Sequence, residues 1–119
     1  MVTHITEPQR IPVPGGKIIE EFVGRVATGT DGVSVARMKA PAGWDEPPQT
    51  PEFDEVTLVL AGRVIVEHGD ATTEVSAGEA ILTPAGTTVR YSAGPEGAEY
   101  VAVCVPAFGP DLAHRKDDT

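Results

Sequence analysis

The stretch "DEVTLVLAGRVIVEHGD" (54–70) constrains this chain more than any other. Two runs rich in Val, Leu and Ile alternate with polar residues and flank the dipeptide "AG", and "HGD" closes the second run. Period-two alternation puts every other side chain on one face of a strand, so both runs read as half-buried β-strands. The rest of the chain keeps this rhythm. "GKIIEEFVGRVA" (16–27) reads as a strand near an edge or an interface, and "GVSVARMKAP" (32–41) alternates before a proline stop. "TTEVSAGEAILTPAG" (72–86) gives two short strands around "SAG" and then a Pro-Gly loop. "TTVRYSAGPEGAEYVAVCVPAF" (87–108) gives two strands around "AGPEG". No ten-residue window has strong helical periodicity. Six to nine short strands separated by turns predict an all-β sandwich, jelly roll or barrel. The 13 glycines and 11 prolines supply the turns that such a chain needs.

At 119 residues the chain is the size of one domain with one modest core. The formal net charge of −9 argues against nucleic acid and against an anionic membrane surface as partners, because both need clustered Lys and Arg. No run of 18 apolar residues is present, and "MVTHITEPQR" lacks the pattern of a signal peptide. One cysteine, Cys104, allows no intrachain disulfide, which suits a reducing cytoplasm, and within "VAVCVP" it reads as a small buried hydrophobe. Ser34, Ser76 and Ser92 have no nucleophile-elbow context, and "GTDG" and "PAGTT" are turns rather than phosphate loops.

Two spaced motifs carry a family resemblance. Gly43 is followed by "WDEPP", Gln49, Thr50, Pro51, "EFD", Glu55, "VTLVLA" and Gly62. Further on, Gly78 is followed by "EAILT", Pro84, "AGTT", Val89, "RYS" and Ala93. Both spacings resemble the two motifs of the cupin superfamily, and the similarity runs over roughly residues 33–106. It extends to small one-domain cupins of the ethanolamine-utilisation group, which often lack the family's histidines. The resemblance implies a double-stranded β-helix, or jelly-roll barrel, with a core at about residues 17–108. A short N-terminal arm would precede that core, and a C-terminal tail would fold back over the barrel.

The family's metal site takes three imidazoles and a carboxylate from neighbouring strands. Here the imidazole positions hold Gln49, Pro51 and Val89, and only Glu55 remains. Proline and valine side chains cannot ligate a metal, and glutamine is a weak oxygen ligand. His4, His68 and His114 all lie away from these positions. No metal and no other cofactor is therefore expected. An oxygen-only set of Glu46, Gln49 and Glu55 would suit a hard ion rather than zinc or iron.

In the resemblance Glu55 points inward, so Thr57 and Val59 share its face, while Val56, Leu58 and Leu60 face the opposite layer or a partner subunit. Val89 occupies an inward position, so Tyr91 lines the same space and Arg90 points away. Without a metal, Glu55 needs a partner or a proton. Tyr91, Gln49 and Thr57 are neutral candidates for that partner, and Arg37 is a charged one. The resemblance implies that the stiff loop "APAGWDEPPQTPEF" (40–53), which carries Trp44 and Phe53, crosses the barrel mouth; Trp44 there either caps a ligand or covers core, and Asp45 and Glu46 are read as solvated. His114 on the tail is a candidate for the rim.

Two functions stay open. One is a metal-independent isomerase, cyclase or lyase that moves a proton on a small organic molecule, with Glu55 as acid or base and Tyr91 or Gln49 orienting the substrate. The other is a non-catalytic ligand-binding or accessory protein of a metabolic pathway. A third outcome is a purely structural dimer with its cavity filled by Val and Leu. Pairing through apolar outer faces at 17–23 and 56–60 predicts a homodimer.

Overall fold

A computed structural model describes residues 1–116. The chain folds almost entirely into strands: β1 (Gln9–Ile11), β2 (Ile18–Val23), β3 (Ser34–Ala40), β4 (Asp54–His68), β5 (Ala71–Ser76), β6 (Ala80–Thr83) and β7 (Val89–Val105). One short helix, α1 (Pro110–Ala113), follows. All strand pairings are antiparallel, in the order β1-β2-β3-β7-β4-β5, with β6 on the other edge of the first half of β4. This is the all-β jelly-roll architecture expected from the sequence. Its seven strands fall within the expected six to nine, but two of them are longer than expected.

"EVTLVLAGRVIVEH" and "VRYSAGPEGAEYVAVCV" each form one continuous strand rather than two. Each strand changes its inward face halfway along. In β4, Thr57 and Val59 are buried before the "AG" dipeptide, and Val64 and Val66 after it. In β7, Val89, Tyr91 and Ala93 are buried before the glycines, and Ala98, Tyr100, Ala102 and Cys104 after them. The β4–β7 register slips between Val59 and Ala61 and again between Gly62 and Val64. A bulge bends a strand and re-aims its side chains without ending the pairing. The change of phase makes one strand look like two in the sequence.

Glycine is required at this corner. Gly62 has φ +71°, and a Cβ there would lie 2.1 Å from the Gly97 carbonyl oxygen. Gly97 has φ +80°, and a Cβ there would lie 2.6 Å from the Ala40 carbonyl oxygen. Three strands thus pack backbone to backbone where the sheet rolls over, and no side chain fits between them.

The rolled sheet has two apolar clusters. The larger includes Trp44, Val59, Val64, Val66, Val75, Val89, Tyr91 and Tyr100, and it closes one end of the barrel. The smaller, Phe53, Cys104 and Ala113, is covered by Phe108 and Leu112. That cover is the tail: Glu52 N–H donates to the Leu112 carbonyl at 2.9 Å, and Lys116 N–H to the Pro48 carbonyl at 2.9 Å. The tail therefore folds back along the 48–52 loop, which places α1 at the barrel mouth. On the outside, Val56, Leu58, Leu60, Leu82 and Val105 are exposed, and Val56 sits directly across from Leu82.

Candidate functional site

The barrel is not filled with Val and Leu. It holds a cavity of about 640 Å³, lined by side chains from β2, β3, β4 and β7, the 46–53 loop and the tail. Its walls are largely apolar and aromatic, with Ile19, Met38, Phe53, Tyr91, Tyr100 and Phe108 among them. A few polar groups converge on this space, the usual composition of a ligand site.

Glu55 is the central one. β4 sets its carboxyl beside Cys104 of β7 and Thr83 of β6. Its remaining exposure is to the cavity. Among the described residues, no hydrogen bond or ion pair engages it. Burial pushes its pKa up to about 7, the negative charge of Glu46 adds to this, and Lys17 and Arg115 partly offset it. A carboxyl in that range gives and takes protons near neutrality.

The neutral partners expected for Glu55 are placed unequally. Tyr91 is buried on the cavity wall, but its hydroxyl donates to Thr83 Oγ1 at 3.2 Å. Burial, with Glu55 as the next cause, drives the phenol above its ordinary range, so it stays protonated. Gln49 lines the cavity with its Oε1 buried and unpartnered. Its backbone is fixed by paired 2.9 Å hydrogen bonds with Val89. Thr57 is buried and its Oγ1 is also unpartnered, but Thr57, Val59 and Val89 lie off the cavity lining, in the packed interior. Phe53 and His114 do line the cavity. His114 sits at the rim, its Nε2 2.5 Å from Glu52 Oε2.

Two expectations are corrected. Arg37 does not face Glu55. It points outward from β3 and pairs with Glu20 of β2 at 2.9 Å, because inward positions on β3 fall to Ser34, Ala36, Met38 and Ala40. Glu46 is not solvated. Its side chain is 8% exposed and is held between Lys17 Nζ at 3.7 Å and Arg115 Nη2 at 3.5 Å. Asp45 is the exposed member of that pair, bonded to Arg90 at 2.6 Å. Trp44 is core, and its ring lies 4.2 Å below the Lys17 ammonium, beside a smaller pocket of about 140 Å³.

Lys17 and Arg115 were not legible as site residues in the sequence. Lys17 precedes β2, and its side chain is only 8% exposed. Burial lowers its pKa, while Glu46 and then Glu55 work against that. A lysine before a strand normally reads as solvated; only the closure of the loop and tail buries this one. Cys104 and Glu21 also face the cavity. Burial raises the Cys104 thiol pKa, so it is a poor nucleophile. Glu21 is occupied by the N–H groups of Val26 and Ala27, at 3.0 and 2.8 Å.

At the positions corresponding to the family's metal ligands, Pro51 and Val89 bring no donor, and Gln49 brings one neutral oxygen. Among the described residues no group of three or more His, Cys, Asp or Glu side chains is placed to hold a metal ion.

The model of the family described as "Cupin domain" matches residues 36–105, more than half of the chain. The chain belongs to the cupin superfamily. Among curated proteins, this cupin is 52% identical over 107 residues to "Endoribonuclease YbeY" of Myxococcus xanthus (strain DK1622), a match covering 89% of this chain and 36% of that protein. The cupin thus spans about a third of the length of that relative. An oxalate decarboxylase from Bacillus subtilis has a similar fold, with TM-score 0.82 and 16% identity over 98% of this chain and 33% of that one. Pac13, titled a unique nucleoside dehydratase, has TM-score 0.77 and 16% identity over 97% and 91%. KdgF from Halomonas sp. has TM-score 0.71 and 19% identity over 84% and 89%. At these identities the solved structures show the shared fold.

Proposed function

We propose that this cupin is a small-molecule-binding protein acting as a metal-independent isomerase, cyclase or lyase, with Glu55 as its general acid or base. One observation carries the reading: among the described residues Glu55 has no hydrogen-bond partner, and it stands against a cavity of about 640 Å³ with its pKa pushed up to about 7. A relic would be expected to be hydrogen-bonded or replaced, since an unpartnered buried carboxyl costs stability. The residues at the family's ligand positions favour chemistry without a transition metal. Among the similar folds, Pac13 is described as a nucleoside dehydratase, so a barrel of this shape can house a lyase.

In this mechanism the cavity walls exclude water and hold the apolar body of the substrate. Glu55 takes a proton from one substrate atom and returns it to another or to the leaving group. Tyr91 remains protonated and shapes the wall beside Glu55. Gln49 Oε1 accepts a hydrogen bond from the substrate. The chemistry is tested by comparing wild type and Glu55→Gln in a proton-exchange screen: retained ligands are identified by native mass spectrometry, then incubated in D2O. Deuterium uptake by a ligand with wild type only supports the reading. Equal binding with no uptake by either protein overturns the catalytic part.

A second reading has its own observation. A segment resembling this chain makes up about a third of a longer protein named as an endoribonuclease. That favours an accessory, ligand-sensing module working beside a catalytic domain. The net charge of −9 does not favour this chain itself holding RNA. In both readings the apolar outer face of β4, β6 and β7 pairs two copies into a homodimer.

A further inference from the structure

The polar groups on the cavity that lack full partners define a charge and a hydrogen-bonding pattern. Lys17 is buried, yet among the described residues its ammonium has one oxygen contact, the 3.7 Å ion pair with Glu46, and otherwise lies over the rings of Trp44 and Tyr100. Arg115 shares the same carboxylate at 3.5 Å from the mouth, where its side chain is 32% exposed. Two cations therefore converge on one anion at the cavity mouth of a protein of net charge −9. The acids that act on the Lys17 charge are Glu46 and then Glu55; the other two on the lining do not act on it. Glu21 is taken by two backbone N–H groups, and Asp111 is exposed at the rim. Glu55 completes the charge balance when ionised, and leaves one positive charge over when protonated. His114, the remaining basic group, is held by Glu52. Gln49 also lines this cavity, and its Oε1, though closed to solvent, has no donor among the described residues; a turn of the side-chain amide would present that oxygen to a ligand.

We propose that the cavity takes a small hydroxylated carboxylate, its carboxylate drawn to Lys17 and Arg115 and its hydroxyl donating to Gln49 Oε1. This rests on the reading of the cavity as a ligand site and specifies its ligand class. The ammonium and guanidinium have N–H donors to spare, and a charge-assisted hydrogen bond is about twice as strong as a neutral one. The orphan oxygen can be satisfied only by a donor, which a carboxylate does not carry and a hydroxyl does. Between these ends the aromatic walls need an apolar middle.

Three flexible six-carbon probes separate the parts: 6-hydroxyhexanoate, hexanoate and 1,6-hexanediol, titrated by 15N-resolved NMR at about pH 6, where Glu55 is mostly protonated. The hydroxy acid is expected to bind at least about tenfold more tightly than the diol. Lys17→Met is expected to remove most of that preference. Arg115→Met, on the partly exposed tail, tests the same point if the buried variant fails to fold. Gln49→Leu is expected to abolish the preference for 6-hydroxyhexanoate over hexanoate. If the diol binds as well as the acid, the anion site is overturned while the ligand cavity stands. The same holds if neither cationic variant changes the ranking. If none of the three probes shifts the cavity resonances, both the ligand class and the binding reading fall.

Discussion

Glu55 shows how one side chain links stability to function. Its folded pKa of about 7 lies above that of the unfolded chain, so the native state holds the extra proton between roughly pH 4.5 and 7. Stability is full below that window and falls as pH rises through it, by on the order of 3 kcal/mol at most. In urea titrations across pH 4–8, wild type is expected to lose stability and Glu55→Gln to stay flatter and be the more stable protein at pH 8. A parallel decline in both proteins would mean that another group carries the effect. The position of Glu55 was legible because motif spacing marks it. So was the inward side shared with Tyr91, because alternation is local. Lys17 and Arg115 were not. Their convergence depends on the N-terminal arm, the loop and the tail meeting at the mouth, and none of those contacts leaves a local pattern. Arg37 failed for a related reason: its strand was legible but its phase was not.

At the scale of elements, the strands were visible and their continuity was not. A bulge that reverses the inward phase makes "AG" and "AGPEG" look like hairpin turns, although both strands run on through the corner. This predicts a steep local sensitivity. Gly62→Ala and Gly97→Ala each drive a Cβ into a neighbouring backbone oxygen at positive φ. Each is expected to cost at least about 3 kcal/mol in chemical denaturation, or to prevent folding. Gly69 also has positive φ, but a Cβ there meets nothing within 4 Å. Gly69→Ala is expected to cost only about 1 kcal/mol. Equal losses at all three positions would assign the effect to φ alone and discount the close packing of β3, β4 and β7.

For the whole molecule, the outer sheet face is the open question. Leu58 is 41% exposed, Leu82 64% and Val105 50%, on three neighbouring strands. A contiguous apolar face of this kind is normally covered. Sedimentation is expected to give a dimer, and Leu58→Glu combined with Leu82→Glu is expected to give a folded monomer. A wild-type monomer at high concentration would leave the face to a different protein. The overall architecture was the most legible feature, because strand rhythm and motif spacing run the length of the chain. The exposed apolar face was visible as an alternation of Val and Leu.

Cys104, the chain's sole thiol, lines the cavity beneath the tail. It is a built-in clock for the mouth. Its sulfur is buried and its raised pKa keeps alkylation slow, so the rate with a small neutral reagent tracks the fraction of time the sulfur is accessible, much as amide exchange tracks the open fraction. A bound ligand would slow that clock in proportion to its occupancy. Access to the barrel can thus be timed by mass spectrometry, with no probe attached and before the natural ligand has been identified.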